Sequence, residues 1–95
     1  MNTNKDANPA EVVSTIVAIA LKTDHVLDDP KPFVIFQGQQ EQSLVFDVYY
    51  WQIGEVFITR SELNIAIFNA LREKGIEISI PVFEIKNNIQ RPSEN

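Results

Sequence analysis

Residues 70–85 read ALREKGIEISIPVFEI, and the spacing of their apolar side chains changes at a single glycine. Upstream of it, apolar residues recur from Leu63 at i, i+3, i+4, i+7 and i+8, which is one face of a helix. Downstream, the isoleucines of IEISI alternate with polar residues, which is the period of a strand. Gly75 is suited to the left-handed position that ends many helices. The stretch therefore predicts a helix, a glycine stop and an extended segment, in that order.

The flanks of this stretch indicate where the elements begin and break. The residues TRSE at 59–62 match a capping box, with Thr59 as the N-cap of the helix and Glu62 as its returning partner. Pro81 cannot donate to a β-ladder, and beyond it the apolar positions slip by one residue. We therefore expect a strand to begin near Val82.

An earlier helix is predicted near the N-terminus. Asn8 suits an N-cap, Pro9 suits the first turn, and Glu11 is placed to return a hydrogen bond to the cap. The apolar residues up to Lys22 lie on two adjoining stripes, which is a wider face than packing on one sheet requires. Residues 1–8 are polar, and we expect them to be a disordered N-terminal segment.

Between the helices the sequence predicts a loop and two strands. The prolines of TDHVLDDPKP, residues 23–32, disfavour helix. FVIFQGQ at Phe33–Gln39 and LVFDVYYW at Leu44–Trp51 are rich in β-branched and aromatic residues, which favour strands. Because their connection is short, we expect an antiparallel hairpin.

The predicted order of elements is thus α-β-β-α-β. This is a ferredoxin-like α/β sandwich lacking its first strand, an α+β fold with two helices packed on one face of a small antiparallel sheet. The domain is predicted to span residues 9–86, and residues 87–95 are predicted to be a flexible tail.

Composition narrows the class of function. The chain has 95 residues, no cysteine and a formal net charge of −5, so disulfides are excluded and phosphate backbones are repelled. The apolar run at residues 12–21 is shorter than the stretch of about 20 residues that a helical membrane span needs. We therefore predict a soluble chain.

The sequence contains few side chains that could act as catalytic groups or metal ligands. His25 is the single histidine, and it lies in a predicted loop with Asp24, Asp28 and Asp29. A solvated loop is favoured there over a weak cation site, since a metal site needs regular ligand spacing and supporting hydrogen bonds. The sequence has no second histidine that could complete a catalytic triad with His25. We therefore predict no catalytic residue, and we also predict no metal and no cofactor. The chain is predicted not to be an enzyme.

The second strand carries aromatic side chains on both faces. Phe46 and Tyr50 lie on a face that is otherwise aliphatic, which is typical of a core. Tyr49 and Trp51 share the other face with Asp47. Such rings can stack on bases, as they do in RNA-recognition modules, but no cluster of lysine or arginine accompanies them. We therefore favour a subunit interface over nucleic-acid binding.

The second helix carries an additional apolar pair, Ile65 and Phe68, outside its main stripe. One interpretation is a flank that is buried under the hairpin loop. The other is a surface for another subunit, because contiguous exposed apolar patches often mark interfaces. Ile65, Phe68, Tyr49 and Trp51 are the candidate subunit-interface residues.

Three segments together resemble a known family. They are LDDPKP at residues 27–32, LVFDVYYW at residues 44–51 and ALREKGIEISIP at residues 70–81. In this order they are similar to the C-terminal cytoplasmic domain of the small-conductance mechanosensitive (MscS-family) channels. Ser79 and Ile80 depart from the family pattern at the end of the third segment, as does Val82 just beyond it.

The resemblance implies a cellular location and a role for the domain. Family members are homoheptamers in the bacterial inner membrane, and this domain forms part of their cytoplasmic vestibule. Membrane contact would come only through upstream transmembrane helices that are absent here, and the missing first strand would lie just before Asn2. The implied role is to hold the vestibule together and to filter ions and small solutes on their way to the pore. Asp28 and Asp29 are candidates for vestibule electrostatics, because rings of carboxylates favour cations.

An alternative function, that of a ligand-binding domain and not of a channel module, stays open at this point. A stand-alone ferredoxin-like regulatory domain would bind a small ligand at a subunit interface. It would need a pocket with convergent polar groups, and the sequence does not indicate one.

Overall fold

Six elements follow one another in the part of the chain that the computed structural model describes, residues 1–79. They are β1 (Asn2–Asn4), α1 (Pro9–Lys22), β2 (Phe33–Gln40), β3 (Ser43–Tyr49), α2 (Val56–Glu73) and β4 (Ile78–Ser79). The strands form one sheet in the order β2-β3-β1-β4, and all neighbouring strands are antiparallel. The predicted α+β class and ferredoxin-like arrangement are confirmed, with the complete order β-α-β-β-α-β.

The first strand is present, and its predicted absence is wrong. Thr3 pairs with Leu44 of β3 on one side and with Ile78 of β4 on the other, so β1 lies inside the sheet. The predicted disorder of residues 1–8 is likewise wrong at Asn2–Asn4. A polar strand of three residues carries no readable alternation, and its position depends on two strands that lie far along the chain.

Pairing at the C-terminal side begins earlier than expected. The strand β4 starts at Ile78, before Pro81, whereas the sequence predicts an extended approach there and a strand only near Val82. The earlier pairing is possible because β1, which the sequence did not predict, lies next to this segment. Asn4 donates its N–H to Glu77 O at 3.0 Å. The expected strand near Val82 and the expected tail at residues 87–95 lie outside the described residues.

The hairpin is confirmed. Its ladder runs from the pair Phe33 and Tyr49 to the pair Gln40 and Ser43, with one irregularity between Phe36 and Gly38. One face of β3 packs against the helices, as predicted.

The predicted N-cap is confirmed for α1 and is wrong for α2. Asn8 Oδ1 accepts hydrogen bonds from the N–H groups of Ala10 at 2.9 Å and Glu11 at 3.3 Å, so the predicted N-cap of α1 is confirmed. In α2 the predicted N-cap at Thr59 is wrong. The helix begins at Val56, one turn earlier, because Glu55 caps it and also accepts the Thr59 N–H at 3.1 Å.

The end of α2 is built as the sequence indicates. Gly75 has a φ of 79°, the left-handed conformation that glycine adopts without steric cost. Ile76 N–H donates to Leu71 O at 2.9 Å and Gly75 N–H to Arg72 O at 3.0 Å, which is the Schellman pattern. Because Ile76 and Leu71 are both buried, this turn also directs the chain back towards the sheet.

The core lies between the two helices and one face of the sheet. Its fully buried side chains include Val12 and Ile16 of α1, Leu63 and Ile67 of α2, and Phe46 of β3. The opposite face of the sheet has no helix on it among the described residues, which leaves a large surface for other contacts.

Candidate functional site

The uncovered face of the sheet carries an apolar patch, which we call the sheet surface. It consists of Phe33, Ile35, Tyr49 and Trp51, each between 42 and 44% exposed. The rings of Phe33 and Tyr49 stack with centroids 4.8 Å apart, and Trp51 lies 6.1 Å from Phe33. The stacking follows from the register, because Phe33 and Tyr49 are directly opposite each other in the hairpin.

One carboxylate borders the sheet surface. Asp47 pairs with Ile35 across the hairpin and lies two residues before Tyr49, so it shares their face. Its Oδ2 accepts a hydrogen bond from Gln37 Nε2 at 2.8 Å. The sheet surface therefore combines stacked rings with a negative charge that is held in place by a neighbour.

A second apolar patch, the helix surface, runs along α2. It consists of Phe57, Ile58, Ile65 and Phe68, which are between 40 and 69% exposed. At about 100° per residue, Ile65 lies on the opposite side of the helix from the buried residues Leu63, Ile67 and Leu71. The helix surface therefore points away from the core.

Two arginines belong to the helix surface. The guanidinium of Arg60 lies 5.3 Å from the ring centroid of Phe57, and that of Arg72 lies 5.2 Å from the centroid of Phe68. Both distances are within the range of a cation–π contact. The charges stacked on the rings of the helix surface are thus positive, opposite to that of Asp47.

The four predicted interface residues are all exposed, but the structure does not bring them together. Tyr49 and Trp51 lie on the sheet surface, whereas Ile65 and Phe68 lie on the helix surface. The alternative that Ile65 is a buried flank does not fit its 58% exposure.

Other members of these patches were missed from the sequence. Phe33 and Ile35 could have been found from the hairpin register, since they lie opposite Tyr49 and Asp47. Phe57 lies two helical turns before Ile65, but it was placed outside the helix because of the expected cap at Thr59.

The loop between α1 and β2 exposes Asp28 and Asp29 to solvent. Leu27 N–H donates to Trp51 O at 2.8 Å, and Ile53 N–H donates to His25 O at 2.9 Å. These bonds fasten the loop beside one end of the sheet surface. In residues 1–79 no three side chains of ligand type converge as a metal site would require.

A cleft of about 490 Å³ lies between α2 and β3. Its polar lining includes Asp47, Arg60 and Asn64. The cleft is open to solvent, whereas small-molecule sites enclose most of their ligand. This geometry gives the small-ligand alternative no specific support.

Helices α1 and α2 are the helices of the described part of the chain, and neither is long and apolar enough to cross a bilayer. Comparison with curated proteins and with solved structures gives no match. A family model does match: "Mechanosensitive ion channel MscS, C-terminal" covers residues 2–78, from β1 into β4. The family is a channel module and not an enzyme family. With its ferredoxin-like order of elements and a match over most of its length, the chain belongs to the C-terminal domain family of the mechanosensitive channel MscS.

Proposed function

We propose that this chain is the cytoplasmic vestibule domain of an MscS-like channel, a non-catalytic module that supports oligomerisation and filters ions and solutes on their way to the pore. The observation that carries the proposal is the family match over residues 2–78. The parent channel would lie in a bacterial inner membrane as a homoheptamer, with this domain on the cytoplasmic side.

The distribution of apolar side chains supports an assembly role. Among residues 1–79, two apolar patches remain exposed although other apolar side chains of the same elements are fully buried in the core. Covering apolar area gains about 25 cal/mol per Å², and exposed patches of this kind mark contacts with other chains. In a vestibule wall these patches would be buried between neighbours.

Removal of the domain from the parent channel tests the assembly role. We expect a channel without residues 2–79 to yield far fewer complete oligomers after mild detergent extraction, measured by native mass spectrometry. We also expect it to lose discrimination between small and bulky organic ions in patch-clamp recordings. A parent channel carrying Gln42→Ala in the exposed hairpin turn serves as the control. An unchanged oligomer with unchanged discrimination would refute the proposal.

The vestibule electrostatics can be tested separately. In the parent channel, Asp28→Asn with Asp29→Asn removes two exposed carboxylates from each subunit. We expect a weaker preference for cations, because a ring of carboxylates raises the local cation concentration. The measurement is the reversal potential in a KCl gradient, with the exposed Asp6→Asn as the matched control. A reversal potential equal to that of the control would exclude a role for this loop in ion preference.

A further inference from the structure

We infer that the sheet surface of one copy packs against the helix surface of the next, so that the domain associates head to tail with further copies of itself. The inference rests on the proposed function, because it names the contact through which the vestibule domain would assemble. Its occupant is a second copy of this chain, and the three observations below support that choice.

The first observation is the position of the two patches in the fold. The sheet surface is on the face of the sheet away from the helices, and Ile65 on the helix surface points away from the sheet. They therefore lie on the two outer sides of a two-layer domain. One copy can use both at once, which a head-to-tail contact requires.

The second observation is charge. Asp47 borders the rings of the sheet surface, and Arg60 and Arg72 are stacked on the rings of the helix surface. Pairing two helix surfaces would bring arginines towards arginines, and pairing two sheet surfaces would bring Asp47 towards Asp47. Among these three charges, only the mixed contact places opposite signs together, and charge complementarity of this kind selects partners.

The third observation is the distribution of apolar side chains on β2, β3 and α2. β2 and β3 carry large apolar side chains on both faces, which is typical of a sheet covered on both sides. The helix α2 is apolar on its core side, and among polar residues its outer side carries the exposed Ile58 and Ile65, which a neighbouring chain could cover. Stacking copies head to tail would give each sheet helices on both faces, a stable layer architecture.

Such a contact is heterologous, since different patches meet. It generates a closed ring when the rotation between neighbours divides a full turn, and an open chain otherwise. A symmetric dimer through either patch would instead leave the other patch uncovered on both copies.

The test uses two variants of the whole 95-residue chain, each blocked on one surface. Trp51→Glu blocks the sheet surface and Ile65→Glu blocks the helix surface, and both positions are exposed enough to leave the fold intact. Gln42→Glu adds the same charge in the exposed hairpin turn and is the matched control. Circular dichroism checks folding, and Tyr49→Glu and Phe68→Glu replace either variant if it unfolds. Sedimentation velocity from micromolar to millimolar concentration measures association.

We expect each blocked variant alone to associate at least about tenfold more weakly than the wild type and the control. An equimolar mixture of the two should regain association and stop at a heterodimer, because one intact sheet surface and one intact helix surface remain. Self-association of Trp51→Glu alone would show helix-to-helix pairing and would overturn the inference. Self-association of Ile65→Glu alone would show sheet-to-sheet pairing and would also overturn it, as would a wild type that stays monomeric at millimolar concentration.

This experiment and the deletion in the parent channel fail independently. If the deletion disrupts the oligomer but the mixed variants do not associate, the assembly role stands and the surface pairing is wrong. If the deletion leaves the oligomer and its ion discrimination unchanged, the proposed function is wrong whatever the variants do.

Discussion

Phe46→Ala is expected to lower the free energy of unfolding by about 3–5 kcal/mol, the usual cost of removing a buried phenyl ring. Phe46 has an exposure of 0% and belongs to the core between β3 and the helices, so removal of its ring leaves a cavity there. A domain of this size has a total stability of only about 5–15 kcal/mol, so a large part of the margin would disappear. Chemical denaturation followed by circular dichroism measures the change.

The chain offers a matched control for this loss. Phe36 is the cross-strand partner of Phe46, and the two ring centroids are 5.1 Å apart, yet Phe36 is 42% exposed. We expect Phe36→Ala to cost about 1 kcal/mol or less, because its removal opens no closed cavity. Equal losses at the two positions would mean that the core is not where the structure places it.

Thr3→Asp is expected to unfold the domain or to lower its stability by several kcal/mol, the cost of an unpaired buried carboxylate. Thr3 is 1% exposed and belongs to the strand that joins β3 to β4. The result would be a loss of the thermal transition, or a transition at much lower temperature, measured by circular dichroism or calorimetry.

Two controls separate burial of the charge from changes in the strand itself. Thr3→Val keeps the shape and removes one hydroxyl, whose hydrogen bond to Asn4 O at 3.2 Å contributes about 1 kcal/mol. Asn2→Asp introduces the same charge on the neighbouring residue, which lies on the other face of β1 and is only half-buried. If Thr3→Asp were as stable as these two variants, the N-terminal residues would not form an inner strand.

The sequence was sufficient wherever a local pattern of residues decides the structure. The glycine stop at Gly75 and the cap at Asn8 are local devices, and both are confirmed. The alternation that placed Phe46 in the core is likewise a property of a few adjacent residues. In each case the interactions that decide the structure lie within one turn or one strand.

The sequence was insufficient where distant parts of the chain decide the structure. Asn2–Asn4 contain only one residue that favours a strand, Thr3, and they form one because β3 and β4 offer ladder partners on both sides. Around Thr59 the sequence has a good capping pattern, but Thr59 does not cap the helix. Tertiary packing buries its side chain, and the helix already begins at Val56. The candidate interface residues were found one by one, but their separation into two surfaces depends on the layer order, which no local pattern contains.

The central position of β1 also affects the order of events during synthesis. Asn2–Asn4 are made before the strands with which they pair, and they are among the last residues that can complete their pairing, since Asn4 receives a hydrogen bond from Glu77, 73 positions further along the chain. Until that segment is available, β1 has an unpaired edge on the side away from β3, and such an edge can pair with other nascent chains. Contacts of such long range also slow folding, because the loop must close before they form. Partners, including other copies, would therefore meet a finished sheet only after the C-terminal part of the domain has been made.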